Sequence, residues 1–212
     1  MASSVNEVIE SRRDGVLTLR LNQPEVRNAL GPAMVRALYA ALLRAREDAS
    51  VAAVIITATG DAFSAGADLR EFLADRPPVE HALERRQLGA LFLLIETYPR
   101  TLIAAVNGDA LGAGLGLVAA CHLAVAVKTA RFGLPGVRLG IMPMTIMPAL
   151  FLALPRKLGM ELMLTGRWLT AEEARSAGLV NRTVEARSLE TTALSLAKAA
   201  NGAASLPGLT RL

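Results

Sequence analysis

The sequence predicts a single-domain α/β protein, and three observations carry that prediction. Apolar, β-branched runs at 51–59, 102–106 and 123–127 are typical of buried parallel strands. These runs alternate with segments of helical periodicity, which is the pattern of α/β domains. The 212 residues suit one well-buried domain, and the 52% hydrophobic but only 4% aromatic composition predicts a core of Ala, Leu and Val.

The chain begins with a predicted β-hairpin. Two strand-like segments at 5–11 and 16–21 flank Asp14-Gly15, a dipeptide that favours a tight hairpin turn. The break after the second strand leads through a loop toward the first helix.

Two long helices follow. Gly31 is an acceptable N-cap and Pro32 suits the first helical position, so the first helix runs to about Asp48. The second is predicted over 79–96 and interrupts the strands. Their inward-facing residues recur at helical spacing: Met34, Leu38, Ala41, Leu42 and Ala45 in the first, and Leu83, Leu88, Leu91, Leu94 and Ile95 in the second.

A capping box marks the C-terminal third. Thr170 is a predicted N-cap with Glu173 three residues on, and Gly178 stops that helix. The other elements predicted after residue 127 are a loop at 132–136, a short helix over 157–164 ending near Gly166, a helix over 188–200 and a loose tail over 202–212.

A glycine-rich stretch at 102–121 is the centre of the sequence. A buried strand at 102–106 and an Asn107-Gly108 turn precede Gly112, Gly114 and Gly116, where a helix begins. Unpaired N–H groups and the positive end of the helix dipole favour negative charge there, so this stretch can bind an oxyanion. The alternative is that these glycines only permit close packing between helix and strand.

Charge and composition exclude several functions. A net charge of +4 suits a phosphate-bearing small ligand, whereas eight aromatics and no basic run argue against nucleic-acid binding. Two histidines argue against a His-built metal site, and we expect no metal. The apolar run at 111–127 is too short and glycine-rich for a membrane span, so no membrane association is expected.

Cysteine usage and the first residues bear on the compartment. Cys121 is the only cysteine, so no internal disulfide can form and a reducing, cytoplasmic setting is expected. Its apolar neighbours favour a core role over that of a nucleophile. No secretory signal is evident at the N-terminus.

Five ordered motifs between about residue 10 and about residue 185 resemble the crotonase superfamily of enoyl-CoA hydratases and isomerases. They lie at 24–30, 62–69, 107–114, 130–135 and 164–180. The resemblance implies a spiral of ββα units, usually assembled as trimers or dimers of trimers. It also implies an acyl-CoA-binding core at 1–185, followed by a C-terminal helix and tail at 186–212 that are shorter than is usual in the family.

The resemblance also implies the site. The backbone N–H groups of Ala67 and Ala113 would grip the thioester oxygen of an acyl-CoA, stabilising the enolate of the reaction. No cofactor is expected besides the coenzyme A that arrives as part of the substrate. The residues implied at the CoA adenine and phosphate are Arg27, Ala29, Ala65, Asp68 and Leu69.

Both usual catalytic glutamates of the hydratases are missing. The corresponding positions hold Gly116 and Gly136, which cannot transfer a proton. We expect the two glycines to enlarge the pocket and make it less acidic, which favours a bulkier or negatively charged acyl group.

Several residues are candidate substitutes or pocket residues, each with an alternative interpretation. Asp109 is a catalytic candidate or a surface or turn carboxylate, and His81 and Glu84 are candidates or parts of a solvated helix face. His122 is expected as a satisfied, partly buried histidine. Three methionines either border the acyl pocket or fill core space: Met142, Met144 and Met147.

Three functions remain open at this stage. The first is an enolate-forming lyase, isomerase or decarboxylase acting on an acyl-CoA thioester. The second is a catalytically silent paralogue that binds acyl-CoA or supports a partner subunit. The third is an enoyl-CoA hydratase that uses atypical residues. A titratable group at the thioester site favours the first, and a cavity lined only by Gly, Ala, Leu and Met favours the second.

Overall fold

The computed structural model describes residues 6–68, 70, 75 and 77–200. Its strands are β1 (Val8–Arg13), β2 (Val16–Leu21), β3 (Ala53–Ala58), β4 (Ala62–Ser64), β5 (Thr101–Val106), β6 (Asp109–Leu111), β7 (Leu123–Val127), β8 (Arg131–Gly133), β9 (Trp168–Thr170) and β10 (Arg182–Val184). Its α-helices are α1 (Pro32–Glu47), α2 (Pro78–Glu96), α3 (Ala113–Ala120), α4 (Met147–Ala153), α5 (Arg156–Thr165), α6 (Ala171–Ser176) and α7 (Leu189–Ala200). Short 3-10 helices lie at Pro24–Val26, Pro135–Leu139, Met144–Ile146 and Ala186–Ser188.

The strands form two sheets. A six-stranded sheet has the order β1-β2-β3-β5-β7-β10, and only its β1–β2 pair is antiparallel. A four-stranded sheet has the order β4-β6-β8-β9, antiparallel only between β8 and β9. In each of the pairs β3–β4, β5–β6 and β7–β8 the first strand joins the large sheet and the second joins the small one. The predicted α/β class and ββα spiral are therefore confirmed.

Local sequence signals explain the ends of several elements. Asp14 and Gly15 both have positive φ (53° and 76°), as a type I′ hairpin turn requires, and join β1 to β2. Helix α1 starts at Pro32 after the Gly31 N-cap, and α5 ends at Gly166 in the left-handed conformation. These predictions are confirmed.

The capping box of α6 is also confirmed. The Thr170 side chain accepts the Glu173 N–H, and the Glu173 carboxylate accepts the Thr170 N–H at 2.7 Å. The two residues thus satisfy two of the backbone donors that a helix start leaves without intrahelical partners.

The core lies around the centre of the large sheet. All six residues of β3 are buried, so both faces of the sheet are covered there. Helix α7 lies across β3, β5 and β7, with Leu189, Ala193 and Ala197 buried. Among the described residues no helix is long and apolar enough to cross a membrane.

Some predictions of local structure are wrong. Strands β6 and β8 lie in segments that were expected to be turn or loop. Each has only three residues, which is too short to give a periodic signal in the sequence. Leu83 was expected to face the core but is 52% exposed. The prediction that Met142 and Met144 fill core space is also wrong, because they are 48% and 57% exposed. Met147 packs partly buried against the core. The predicted tail at 202–212 lies outside the described residues.

Candidate active site

Glycines bring the two predicted oxyanion segments into backbone contact. A Cβ on Gly66 would lie 2.7 Å from the Leu111 carbonyl oxygen and 3.2 Å from the Ala113 nitrogen. A Cβ on Gly114 would lie 2.6 Å from the Ser64 carbonyl oxygen. The loop after β4 and the start of α3 can approach this closely only without side chains, so close packing is one role of these glycines.

Each of the two segments in contact carries a backbone donor that is free of intramolecular hydrogen bonds. Among the described residues, neither the Ala67 N–H nor the Ala113 N–H has a hydrogen-bond acceptor. Ala113 is the first residue of α3, so its N–H has no intrahelical partner and lies at the positive end of the helix dipole. Gly112, with φ of 52°, is instead held through its N–H to the Gly133 carbonyl at 2.9 Å. The arrangement can receive a carbonyl oxygen that gains negative charge.

The loop before α1 completes this region. Ala65 donates its N–H to the Arg27 carbonyl at 2.9 Å, and Leu30 donates to the Gly66 carbonyl at 2.7 Å. Leu30 and Ala67 form an isolated parallel bridge. Four of the five residues implied in CoA binding therefore lie in two loops held together by backbone hydrogen bonds. They are Arg27, Ala29, Ala65 and Asp68. The Arg27 side chain is half-exposed, Ala29 is buried and Ala65 is half-buried. The Asp68 carboxylate pairs with Arg70 at 2.8 Å. The fifth, Leu69, lies outside the described residues.

Asn28 is a positioning residue that sequence reasoning missed. Its side chain is fully buried, its φ is 53°, and its Nδ2 donates to the carbonyls of Thr59 and Ala62 at 2.8 and 2.9 Å. Its Oδ1 accepts the Gln23 N–H at 2.9 Å. The signal was a short polar residue between Arg27 and Ala29, able to adopt a left-handed conformation and to bond neighbouring backbone.

A cleft of about 60 Å³ opens beside Ala67. Its walls come from the start of α1, from Ala67 and Asp68, and from the face of α2 that carries His81, Glu84 and Arg85. His81 and Glu84 are half-buried there, on a helix whose neighbouring residues are exposed, so both side chains border the cleft. The structure thus brings titratable side chains into the cleft that one candidate donor, Ala67, borders.

The position of the first missing glutamate is packed solid. A Cβ on Gly116 would lie 2.4 Å from Ile146 Cγ2, 2.7 Å from Ile146 Cβ and 3.2 Å from Phe92 Cζ. The expected enlargement of the pocket is therefore wrong at Gly116, because the 3-10 turn before α4 inserts a buried isoleucine into that space. Gly136 differs, since a Cβ there would make ordinary contact with Ile141 Cβ at 3.6 Å.

Asp109 is held between two arginines. Arg131 donates from Nε to Oδ1 at 3.0 Å and from Nη2 to Oδ2 at 2.7 Å, and Arg27 donates to Oδ2 at 3.2 Å. Burial raises the pKa of the Asp109 carboxyl, but the hydrogen bonds and charge of Arg131 and Arg27 outweigh it and the pKa lies below its ordinary value. The interpretation as a surface or turn carboxylate is wrong, because Asp109 begins strand β6 and is buried.

Two other singled-out residues lie at the far end of α3. His122 accepts the Leu102 N–H on Nδ1 at 2.9 Å, so the ring is satisfied, although the residue as a whole is exposed; partial burial lowers its pKa. Burial raises the pKa of the Cys121 thiol to about 12, so the thiol is not a nucleophile at neutral pH. Among the described residues no three His, Cys, Asp or Glu side chains group as a metal site.

Comparison with known proteins shows which family has this arrangement. The sequence model of the enoyl-CoA hydratase/isomerase family matches residues 11–206. The chain belongs to the enoyl-CoA hydratase/isomerase family. A crystal structure of enoyl-CoA hydratase from Mycobacterium smegmatis superposes with a TM-score of 0.88 at 37% identity, covering 92% of this chain and 76% of that one. The human enoyl Coenzyme A hydratase domain-containing protein 3 superposes with a TM-score of 0.88 at 32% identity, covering 92% and 78%.

Curated relatives agree with this assignment. The mouse enoyl-CoA hydratase domain-containing protein 3, mitochondrial, is 36% identical over 187 residues, which are 88% of this chain and 62% of the mouse protein. The 2,3-dehydroadipyl-CoA hydratase of Escherichia coli strain K12 is 39% identical over 178 residues, which are 84% of this chain and 69% of that protein. The chain thus spans less than two thirds of the length of the mouse relative.

Proposed function

We propose that this enoyl-CoA hydratase/isomerase family protein stabilises the enolate of an acyl-CoA thioester, in a lyase, isomerase or decarboxylase reaction. The observation that carries the proposal is the pair of acceptor-free N–H groups at Ala67 and Ala113 on segments in backbone contact. Two donors aimed at a thioester oxygen favour the enolate over the ground state, because negative charge grows on that oxygen. Backbone donors make this independent of the alanine side chains.

In this proposal, proton transfer takes place in the cleft beside Ala67. His81 and Glu84 both line that cleft, and imidazole and carboxylate side chains are common general acids and bases in enzymes. Asp109 is set aside, because both its carboxylate oxygens accept hydrogen bonds from guanidinium groups. A cleft with titratable groups favours an enzyme over a silent binding protein.

Hydrogen–deuterium exchange at the α-carbon tests the proposal without knowledge of the net reaction. The protein is incubated with butyryl-CoA in D2O, and α-deuterium is followed by mass spectrometry. We expect exchange above the protein-free rate and its loss in Glu84→Gln or His81→Gln. Glu80→Gln serves as control, because Glu80 is exposed on the same helix and does not line the cleft. Binding of butyryl-CoA without exchange would contradict the proposal.

A silent acyl-CoA-binding or partner-supporting paralogue is the second candidate. The observation that favours it is the packing at Gly116, where Ile146 and Phe92 occupy the space that a catalytic side chain would need. In that case butyryl-CoA and crotonyl-CoA bind, and neither exchange nor turnover follows.

Hydration through atypical residues is the third candidate, favoured by similarity to the 2,3-dehydroadipyl-CoA hydratase of Escherichia coli. The loss of absorbance of crotonyl-CoA on adding water to its double bond distinguishes it from the first two. We rank it last, because Gly116 and Gly136 leave no carboxylate at either usual position.

Further proposals concern the assembly and the setting. We infer a homotrimer or dimer of trimers, supported by exposed Leu139, Met142 and Met144 on one segment, and sedimentation velocity tests it. Residues 1–185 would bind acyl-CoA with no separate cofactor, and 186–212 would form a C-terminal helix and tail. A cytoplasmic setting rests on the lone Cys121, whereas the mouse relative is named as mitochondrial.

A further inference from the structure

A second cleft lies where four helices end. Its volume is about 350 Å³, which is in the range of small-molecule sites. Helices α2, α3 and α4 end at Glu96, Ala120 and Ala153, and all three residues line the cleft. Gly178, two residues after the end of α6, lines it too. We call it the helix-end cleft, and the proposed acyl-CoA function makes no use of it.

The helix-end cleft is separate from the candidate active site. Ala113, which carries one of the proposed oxyanion donors, begins α3, whereas Ala120 lies at the other end of that helix. Eight helical residues rise about 12 Å. His81 lines the cleft beside Ala67, and His122 lines the helix-end cleft. Each cleft therefore has its own histidine.

The backbone makes the helix-end cleft electronegative. The last carbonyls of a helix have no intrahelical donor, and the negative end of the helix dipole lies beside them. Among the described residues, the carbonyls of Glu96, Ala120 and Ala153 accept no hydrogen bond. Three helix ends thus supply acceptors and partial negative charge to the lining of one cleft.

The side chains of the lining add to this negative charge. Glu96 is half-buried and forms no salt bridge within the described part of the chain. No described lysine or arginine lines the cleft, although the protein carries a net charge of +4. His122 adds no charge at neutral pH, because its Nδ1 accepts the Leu102 N–H at 2.9 Å and partial burial lowers its pKa. The cleft therefore favours a cation.

The rest of the lining favours an organic cation over a metal ion. Val118, Ala149 and Leu179 are buried residues of the cleft wall, and an alkyl chain packs well against such side chains. Hard metal ions take a full shell of oxygen ligands, often with several carboxylates. Among the described residues no three His, Cys, Asp or Glu side chains form such a group. A guanidinium group suits the cleft, because it is planar, rich in donors and weakly hydrated.

We propose that the helix-end cleft binds a small organic cation, an alkyl chain that ends in a guanidinium group. Glu96 and the free carbonyls at the ends of α2, α3 and α4 accept its N–H donors. The alkyl chain lies against Val118, Ala149 and Leu179. This site goes beyond the proposed acyl-CoA function and does not depend on it.

The two histidines of the sequence report the two clefts separately. n-Butylguanidinium is titrated into the protein at fixed pH and ionic strength, and the imidazole C–H signals are followed by NMR, with His81→Gln for assignment. We expect the His122 signals to shift to saturation and the His81 signals to stay in place. A shift of the His81 signals alone, or no saturable shift of the His122 signals, would overturn the site.

n-Butylurea tests the role of charge, because it has nearly the shape of n-butylguanidinium but is neutral. We expect it to bind about tenfold more weakly, since hydrogen bonds that involve a charged group are the stronger ones. Equal affinity for the two ligands would overturn a cation site.

Two substitutions locate the ligand. Glu96→Gln keeps the size of the side chain but removes its charge, and should weaken n-butylguanidinium about tenfold. Glu80→Gln is the matched control, because Glu80 is exposed in the first turn of the same helix and lines neither cleft. Ala153→Phe should fill the cleft and abolish binding of both ligands, and unchanged His81 signals verify that each variant is folded. Wild-type affinity for n-butylguanidinium in Glu96→Gln or Ala153→Phe would overturn the site.

Butyryl-CoA distinguishes failure of this site from failure of the proposed function. The proposed function predicts that butyryl-CoA shifts the His81 signals. A separate helix-end cleft predicts that butyryl-CoA neither shifts the His122 signals nor displaces n-butylguanidinium, and displacement would overturn the separate site. If butyryl-CoA does not bind but n-butylguanidinium still shifts the His122 signals, the proposed function is contradicted and the helix-end site is supported.

Discussion

Replacing Gly116 by alanine should destabilise the protein, although alanine is the better helix former. The added Cβ would lie 2.4 Å from Ile146 Cγ2 and 2.7 Å from Ile146 Cβ, against an ordinary carbon–carbon contact of about 3.5–4.0 Å. Ile146 Cβ cannot move away by rotation of χ1, so backbone must shift. Overpacking of this kind costs about 1–3 kcal/mol, and the helical gain of alanine over glycine offsets about 0.5–1 kcal/mol.

Guanidinium denaturation at fixed protein concentration measures this net loss. Gly89→Ala is the matched control, because Gly89 lies inside α2 and nothing lies within 4 Å of its added Cβ. Gly89→Ala should therefore raise the free energy of unfolding by about 0.5–1 kcal/mol, whereas Gly116→Ala lowers it.

A second variant isolates the contact itself. Ile146→Ala removes Cγ2 but keeps Cβ, so the double variant with Gly116→Ala should recover part of the overpacking loss when compared with Ile146→Ala alone. A Gly116→Ala protein as stable as Gly89→Ala, or a loss that Ile146→Ala does not reduce, would refute the packing at this position.

Three other expectations concern activity, pH and helix capping. Gly136→Glu, at a position with room, should raise hydration or isomerisation of an enoyl-CoA about tenfold or more; an unchanged steady-state rate would count against the pocket geometry. Because partial burial lowers the pKa of His122, the unfolded chain takes up a proton first, and the free energy of unfolding should fall as the pH drops below about 6.5. His122→Asn should reduce that fall in the free energy of unfolding by less than about 1 kcal/mol, given the exposure of the residue; a fall that His122→Asn leaves unchanged would contradict this. Thr170→Ala should cost about 1 kcal/mol and Thr170→Ser much less in thermal unfolding, and a neutral Thr170→Ala would remove the capping box from the account of α6.

Local sequence patterns were sufficient to predict the larger elements of the fold. The hairpin at Asp14-Gly15 and the capping box at Thr170 depend on neighbouring residues, so sequence alone predicts them. The long strand β3 was predictable from its apolar run, because burial on both faces needs no alternation. Strands β6 and β8 were not predictable, because three residues hold no period and only pairing in the small sheet defines them.

The positions of the candidate backbone donors could be predicted from the sequence, whereas the side-chain packing around the site could not. The positions of Ala67 and Ala113 follow from motif order, and the structure brings their segments together. The space beside Gly116 depends on Ile146, thirty residues away in the chain, and no local pattern reports that contact. Asp109 resembled a turn carboxylate because its two arginine partners come from distant segments.

Infrared difference spectroscopy of carbonyl-13C-labelled butyryl-CoA tests the proposed oxyanion hole directly. Donors at Ala67 and Ala113 should polarise the thioester carbonyl and shift its stretching band to lower frequency on binding. Ala113→Pro removes one N–H at the first position of α3, where a helix tolerates proline, so the shift should shrink and the α-exchange rate should fall about 10²–10³-fold. A bound thioester whose carbonyl band does not move, or moves equally in Ala113→Pro, would contradict the assignment of the two donors.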